Sequence, residues 1–191
     1  MTLADKLTAS RLALAPLFFA AYRWGMLLGS VPYIAVLVLL FIVIEVSDLF
    51  DGMAARHEGT VSDFGKLFDP YADVFARVTY FVCFALDGIM PAWVLIVVIY
   101  RELSINFIRM LVAQQGVAMG ARPGGKLKSA TYMVAGAVSL IYLALGKLGL
   151  LAGALRPLAI VLYAIYALAA VLALASFVDY FVQFRKLVPR R

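Results

Sequence analysis

The chain has 191 residues, of which 65% are hydrophobic and 15% charged, and a net charge of +6; its mean hydropathy is +0.97. That composition excludes an ordinary soluble domain and predicts an all-α, polytopic membrane protein, because apolar runs recur at close to the ~20 residues a helix needs to cross a bilayer. The surplus of Lys and Arg is placed as a membrane topology would place it, which argues against nucleic acid as the partner.

Taken in chain order, residues 1–10 (MTLADKLTAS) read as a short interfacial helix leading into the first span. Six transmembrane helices are predicted at 11–28, 31–56, 66–88, 91–118, 127–150 and 155–186, in one domain covering 1–191. Glycine and proline punctuate the pattern at Gly29–Pro32, Gly59–Ser62, Gly88–Pro91, Gly116–Gly125 and Gly149–Pro157. The first run is not expected to be a cleaved signal peptide, since further spans follow it. The lone Cys83 falls in an apolar run and is expected to be a small buried hydrophobe. Trp24 and Trp93 fall near span ends, as interfacial anchors do.

With the N-terminus inside, eleven Lys and Arg residues fall on the inner surface and only Arg23, Lys147 and Arg156 on the outer one. The positive-inside rule then puts both chain ends in the cytoplasm. The basic C-terminal RKLVPRR reads as an anchor on anionic lipid.

The chemistry is concentrated at the junction of the second and third spans. Seven of the eleven acidic residues (Glu45, Asp48, Asp51, Glu58, Asp63, Asp69 and Asp73) lie within 29 positions. Ionisable groups in membrane-type segments are costly and normally face a polar cavity. From Asp48 to Asp73 the order is D-x-x-D-G-x-x-A-R, eight residues, then G-x-x-x-D-x-x-x-D, falling on Asp48, Asp51, Gly52, Ala55, Arg56, Gly65, Asp69 and Asp73. Residues three or four apart share a helix face. Asp48 and Asp51 therefore point one way, Asp69 and Asp73 stripe the next span, and a short turn between the spans lets all four carboxylates converge. Such a group needs positive charge, and hard divalent cations with oxygen ligands (Mg²⁺, Mn²⁺ or Ca²⁺) supply it. The single histidine, His57, reads as a surface residue of the turn. Gly52 and Gly65 leave room for a phosphate near the backbone, and Arg56 can grip one with its fork of donors. Together these residues suggest phosphoryl-group transfer.

The pattern resembles, at every defined position, the signature of the CDP-alcohol phosphatidyltransferase family, whose six-span architecture would cover nearly the whole chain. The resemblance implies exchange of CMP on a CDP-linked lipid for a second alcohol. It implies Asp48, Asp51, Asp69 and Asp73 as ligands of two divalent cations, Mg²⁺ or Mn²⁺, with Asp73 also the general base on the acceptor hydroxyl. Gly52, Ala55, Arg56 and Gly65 would line the CDP site. A homodimer is implied by the family alone.

A second set of residues is similar to the phosphatidylglycerophosphate synthase branch, which uses glycerol 3-phosphate. The set comprises Arg101, Glu102, Arg109, the run Gly125-Lys126-Leu127-Lys128-Ser129, and the opening Thr8, Arg11 and Pro16. Arg101, Arg109, Lys126 and Lys128 would form a basic pocket for a phosphorylated acceptor, and Thr8 is assigned to the CDP-lipid site. The resemblance therefore implies transfer of a phosphatidyl group from CDP-diacylglycerol to glycerol 3-phosphate at the cytoplasmic face of a bacterial inner membrane. Four positions depart from that branch: Asp5, Val74, Ser129 and the pair Thr131-Tyr132.

Other readings stand beside these. The carboxylates alone would suit a divalent cation transporter, and the branch could use inositol phosphate, inositol or serine instead. Arg101 and Arg109 could snorkel or pair with Glu102, and Lys126 and Lys128 could be topology markers. Arg77, one turn beyond Asp73, could neutralise a carboxylate, and Glu45 could serve either the site or helix packing.

Overall fold

A computed structural model of the chain describes the backbone of residues 3–29, 31–58, 63–114 and 123–187, and the side chains of 8–29, 31–47, 68, 70–114 and 124–187. Among the described residues there are six α-helices and no strand: α1 (Leu3–Leu28), α2 (Tyr33–Glu58), α3 (Asp63–Leu86), α4 (Ala92–Ala113), α5 (Pro123–Leu148) and α6 (Ala152–Leu187).

Glycine sets several of the boundaries. Gly88 and Gly149 have φ of +71° and +64°, the left-handed turn that ends a helix most readily at glycine. After α3, Gly88 N–H donates to Ala85 O at 3.1 Å and Ile89 N–H to Phe84 O at 2.9 Å. The same pair of bonds closes α5, from Gly149 to Gly146 O and from Leu150 to Leu145 O.

Three boundaries differ from expectation. Residues 3–10 are not a separate interfacial helix but the opening turns of α1, because no Gly or Pro interrupts the chain from Leu3 to Ala15. Proline at the first helical position costs nothing, its missing N–H being unpaired there in any case. Pro123 therefore begins α5 and draws Gly125 and Lys126 into helix. The last break is short: α6 begins at Ala152 and carries Pro157 inside it.

Two helical stretches, Gly124–Leu148 and Ala152–Leu187, are long and apolar enough to cross a membrane, with hydropathies of 1.5 and 2.6. In α2 the described apolar stretch, Tyr33–Ser47, is shorter.

α1 packs against both α2 and α3, α5 lies along α6, and α4 bridges α6 and α3. The main core is aromatic. Tyr80 of α3 has ring contacts to Phe18 of α1 at 6.2 Å and Phe41 of α2 at 5.4 Å, and Phe81 meets Tyr132 of α5 at 5.5 Å and Tyr166 of α6 at 6.0 Å. Edge-to-face geometry of this kind adds to the area buried. Cys83 is fully buried in that core and free, as expected. Trp24 and Trp93 are 67% and 47% exposed.

Close helix approach depends on Gly25. A Cβ there would lie 2.1 Å from Cγ of Tyr33 on α2, and the Tyr33 hydroxyl donates to Met26 Sδ at 3.2 Å. Gly25→Ala is therefore expected to cost about 1–3 kcal/mol, read as a lower thermal midpoint in detergent. An unchanged midpoint would mean that Tyr33 swings aside freely.

Candidate active site

A cavity of about 510 Å³ opens where five helices meet: α2 contributes Glu45, α3 Asp73 and Arg77, α4 Arg101 to Arg109, α5 Gly125 to Met133, and α6 Tyr180. Of the aspartate motif, Asp73 is described in full and stands on the cavity wall. Asp48, Asp51, Gly52, Ala55 and Arg56 lie in the final turns of α2, and Gly65 and Asp69 in the first turns of α3. The side chains at these seven positions, like that of His57, lie outside the described residues. Among the described residues no group of three or more His, Cys, Asp or Glu could hold a metal.

Arg77 ties the floor of the cavity together. Its Nη2 is 3.1 Å from Asp73 Oδ1 and its Nε is 3.9 Å from Glu45 Oε1, while Nη1 donates to Ser129 Oγ at 3.0 Å. Glu45 also accepts from the Tyr80 hydroxyl at 3.0 Å. Buried charge is tolerable when it is paired and hydrogen-bonded in this way. Arg77 thus neutralises carboxylates, and Glu45 belongs to the site rather than to packing alone.

Glu102 organises the opposite wall. It accepts from Arg101 Nη1 at 2.9 Å and from Lys128 Nζ. Arg101 Nη2 in turn donates to Ser176 Oγ on α6 at 2.7 Å, and Lys128 Nζ stands 4.6 Å from the centre of the Tyr132 ring. Glu102, Arg101 and Lys128 are 7%, 6% and 3% exposed. Arg109 donates from Nη2 to the Tyr180 hydroxyl at 2.7 Å.

The four basic residues expected at the acceptor pocket all line one cavity, but on different terms. Lys126 is exposed. Lys128 is a buried partner of Glu102, and Arg101 divides its donors between Glu102 and Ser176. The Nε atoms of Arg101 and Arg109 are buried with no hydrogen-bond partner among the described residues. Both arginines nevertheless line the cavity, and a guanidinium fork at a cavity wall suits an oxyanion. Counting described side chains, Arg77, Arg101, Arg109, Lys126 and Lys128 face Glu45, Asp73 and Glu102, a surplus of two positive charges.

Thr8 is 3% exposed on α1 and accepts from Arg11 Nη2 at 3.5 Å. It is not among the residues that line the cavity. The departures also find places. Ser129 keeps the hydroxyl that Arg77 uses, and Val74 puts an apolar side chain on the cavity wall. Thr131 bonds to Leu127 O in its own helix. Asp5 lies outside the described side chains.

Sequence reasoning missed Asn106, Ser176 and Tyr180. Asn106 was within reach: Glu102, Asn106 and Arg109 follow one another at four and three residues along a single face of α4. Ser176 and Tyr180 sit in an apolar helix and meet their partners 75 and 71 residues away.

A sequence profile described as CDP-alcohol phosphatidyltransferase matches residues 1–178. A Treponema pallidum (strain Nichols) protein named "CDP-diacylglycerol--glycerol-3-phosphate 3-phosphatidyltransferase" is 42% identical, covering 100% of this chain and 92% of the relative. A protein of the same name from Bacillus subtilis (strain 168) is 32% identical over 73% of this chain and 77% of its own. The "Probable phosphatidylglycerophosphate synthase" of Mycobacterium tuberculosis (strain ATCC 25618 / H37Rv) is 34% identical over 75% and 66%.

Proposed function

The chain belongs to the CDP-alcohol phosphatidyltransferase family, and from that premise we propose that it transfers the phosphatidyl group of CDP-diacylglycerol to glycerol 3-phosphate, releasing CMP and forming phosphatidylglycerol phosphate. The observation that carries the choice of acceptor is the set of basic residues, Arg101, Arg109 and Lys126 among them, lining a cavity whose described side chains carry surplus positive charge. An acceptor bearing a phosphate suits that wall; serine, which has none, does not. The names of the relatives from Treponema pallidum and Bacillus subtilis support the same acceptor.

In this reading the hydroxyl of glycerol 3-phosphate attacks the phosphorus that carries diacylglycerol. A new P–O bond forms as the bond to CMP breaks, CMP departs, and the hydroxyl proton passes to the carboxylate of Asp73. Arg101 and Arg109 bind the acceptor's phosphate, and Arg56, with Gly52, Ala55 and Gly65, holds the CDP moiety. The donor chemistry of Asp48, Asp51, Asp69 and Asp73 is all carboxylate oxygen and fits two hard divalent cations, Mg²⁺ or Mn²⁺. When bound, these ions would neutralise the pyrophosphate charge.

The proposal includes six membrane crossings. The helices have 22 to 36 residues, each at least the ~20 that a bilayer requires. It also places the cavity at the cytoplasmic face of a bacterial inner membrane, as the eleven-to-three split of basic residues favours, in an enzyme that works as a homodimer.

The test is CMP release by purified protein in detergent, given CDP-diacylglycerol with Mg²⁺ or Mn²⁺ and, separately, glycerol 3-phosphate, inositol phosphate, inositol or serine. Release with glycerol 3-phosphate alone is the expected result. Release with a different acceptor would overturn the acceptor and keep the family reaction. Metal flux across vesicles without CMP release would favour a transporter.

A further inference from the structure

We infer that Tyr180 is a positioning residue for the acceptor: it aims the Arg109 guanidinium at the acceptor's phosphate. The inference rests on the reading above and concerns a residue of α6, a helix that contributes nothing to the aspartate motif.

Three features carry it. First, the Tyr180 hydroxyl is the one hydrogen-bond acceptor described for Arg109, at 2.7 Å from Nη2, so it fixes one edge of the guanidinium of a residue that lines the cavity. Second, the ring itself is buried. Tyr180 is 1% exposed and packs with Ile105, Ile108 and Val112 of α4 in a small apolar cluster apart from the main core. Third, both arginines lean on that ring, with the Arg101 and Arg109 Cζ atoms 5.7 and 5.3 Å from its centre, a separation at which cation–π attraction operates. α5 closes the remaining side: a Cβ on Gly125 would stand 3.6 Å from the hydroxyl.

An arginine on a long flexible stem must be ordered before it can grip a phosphate, and ordering it in advance improves affinity without adding a contact to the ligand. A planar fork held along one edge presents its other donors in a set direction. Glu102 and Ser176 order Arg101 in the same manner, and Tyr180 does so for Arg109. Tyr180 acts through Arg109 and does not itself touch the reacting atoms.

The full chain, purified in detergent with Mg²⁺, is assayed for CMP release while glycerol 3-phosphate and CDP-diacylglycerol are varied in turn. Tyr180→Phe keeps the ring and deletes only the hydroxyl. It is expected to raise the KM for glycerol 3-phosphate roughly tenfold, the scale of a lost hydrogen bond to a charged group. The KM for CDP-diacylglycerol and kcat should stay within about twofold, and in an Arg109→Ala background Tyr180→Phe should change nothing further. Equal effects on both KM values, or an undiminished effect when Arg109 is already Ala, would overturn the assignment and make Tyr180 a packing residue. So would a wild-type KM in Tyr180→Phe. Should Tyr180→Phe fail to purify folded, Arg109→Lys tests the pair from the other side: a point charge without the fork should raise the same KM by a similar factor, and a wild-type value would overturn the inference. Failure of the underlying function is read separately, as wild-type protein that releases no CMP with glycerol 3-phosphate.

Discussion

Asp73→Asn is expected to lower turnover by about 10²–10⁴, the usual contribution of a positioned general base, while the protein remains folded. Asn has the same shape and keeps an oxygen to face Arg77 Nη2, which lies 3.1 Å from Asp73 Oδ1. It cannot take the acceptor's proton. The Asp73 side chain is 25% exposed, the Arg77 side chain it meets only 7%, so the carboxylate borders the cavity while the guanidinium sits behind it. The measurement is CMP release at saturating concentrations of both substrates, with the thermal midpoint in detergent as control. Wild-type turnover would remove Asp73 from proton transfer. Loss of turnover together with a collapsed midpoint would instead show that the Asp73–Arg77 pair is required for folding.

Glu102→Ala is expected to cost about 3–5 kcal/mol of stability, the scale for removing one partner of a buried ion pair. Glu102 is the carboxylate between Arg101 and Lys128, and all three residues are under 9% exposed. Without it two like charges face each other away from water, with Ser176 and the Tyr132 ring as their described partners. The thermal midpoint should fall well below that of Glu102→Gln, which retains an acceptor oxygen. The combination of Glu102→Leu with Lys128→Met should recover part of the loss, since it removes one of the two buried like charges and leaves only Arg101 without its carboxylate. If Glu102→Ala unfolds at the wild-type temperature, Glu102 is not the organising group of that wall.

Much of the helical framework was legible because its signals are local. Periodic apolar runs, the left-handed glycines Gly88 and Gly149, and Pro91 as the residue capping α4 each act within one turn of chain. The errors were local too: Pro123 and Pro157 were read as breaks, yet Pro123 opens α5 at the position where proline is tolerated, and Pro157 lies inside α6. Arg101 and Arg109, expected in one basic pocket, do come together, since both lean on Tyr180. Lys128 was not legible in the same way. Its sequence neighbours mark it as a pocket cation, whereas its partner Glu102 lies 26 residues away and takes up its charge.

The residues of the chain alone were enough to establish an all-α architecture, the concentration of carboxylates from Asp48 to Asp73, and the family to which they belong, because composition, helical period and motif spacing are properties of neighbouring residues. Tertiary structure decided which cations are neutralised by a buried carboxylate and which line the cavity with no carboxylate partner among the described residues. That division depends on α4 packing against α6 and α5 lying along α6, which brings Ser176 and Tyr180 to arginines more than seventy positions away. No local pattern encodes such a pairing, since it arises only when separate helices bury their polar groups against one another and each group must find a partner there.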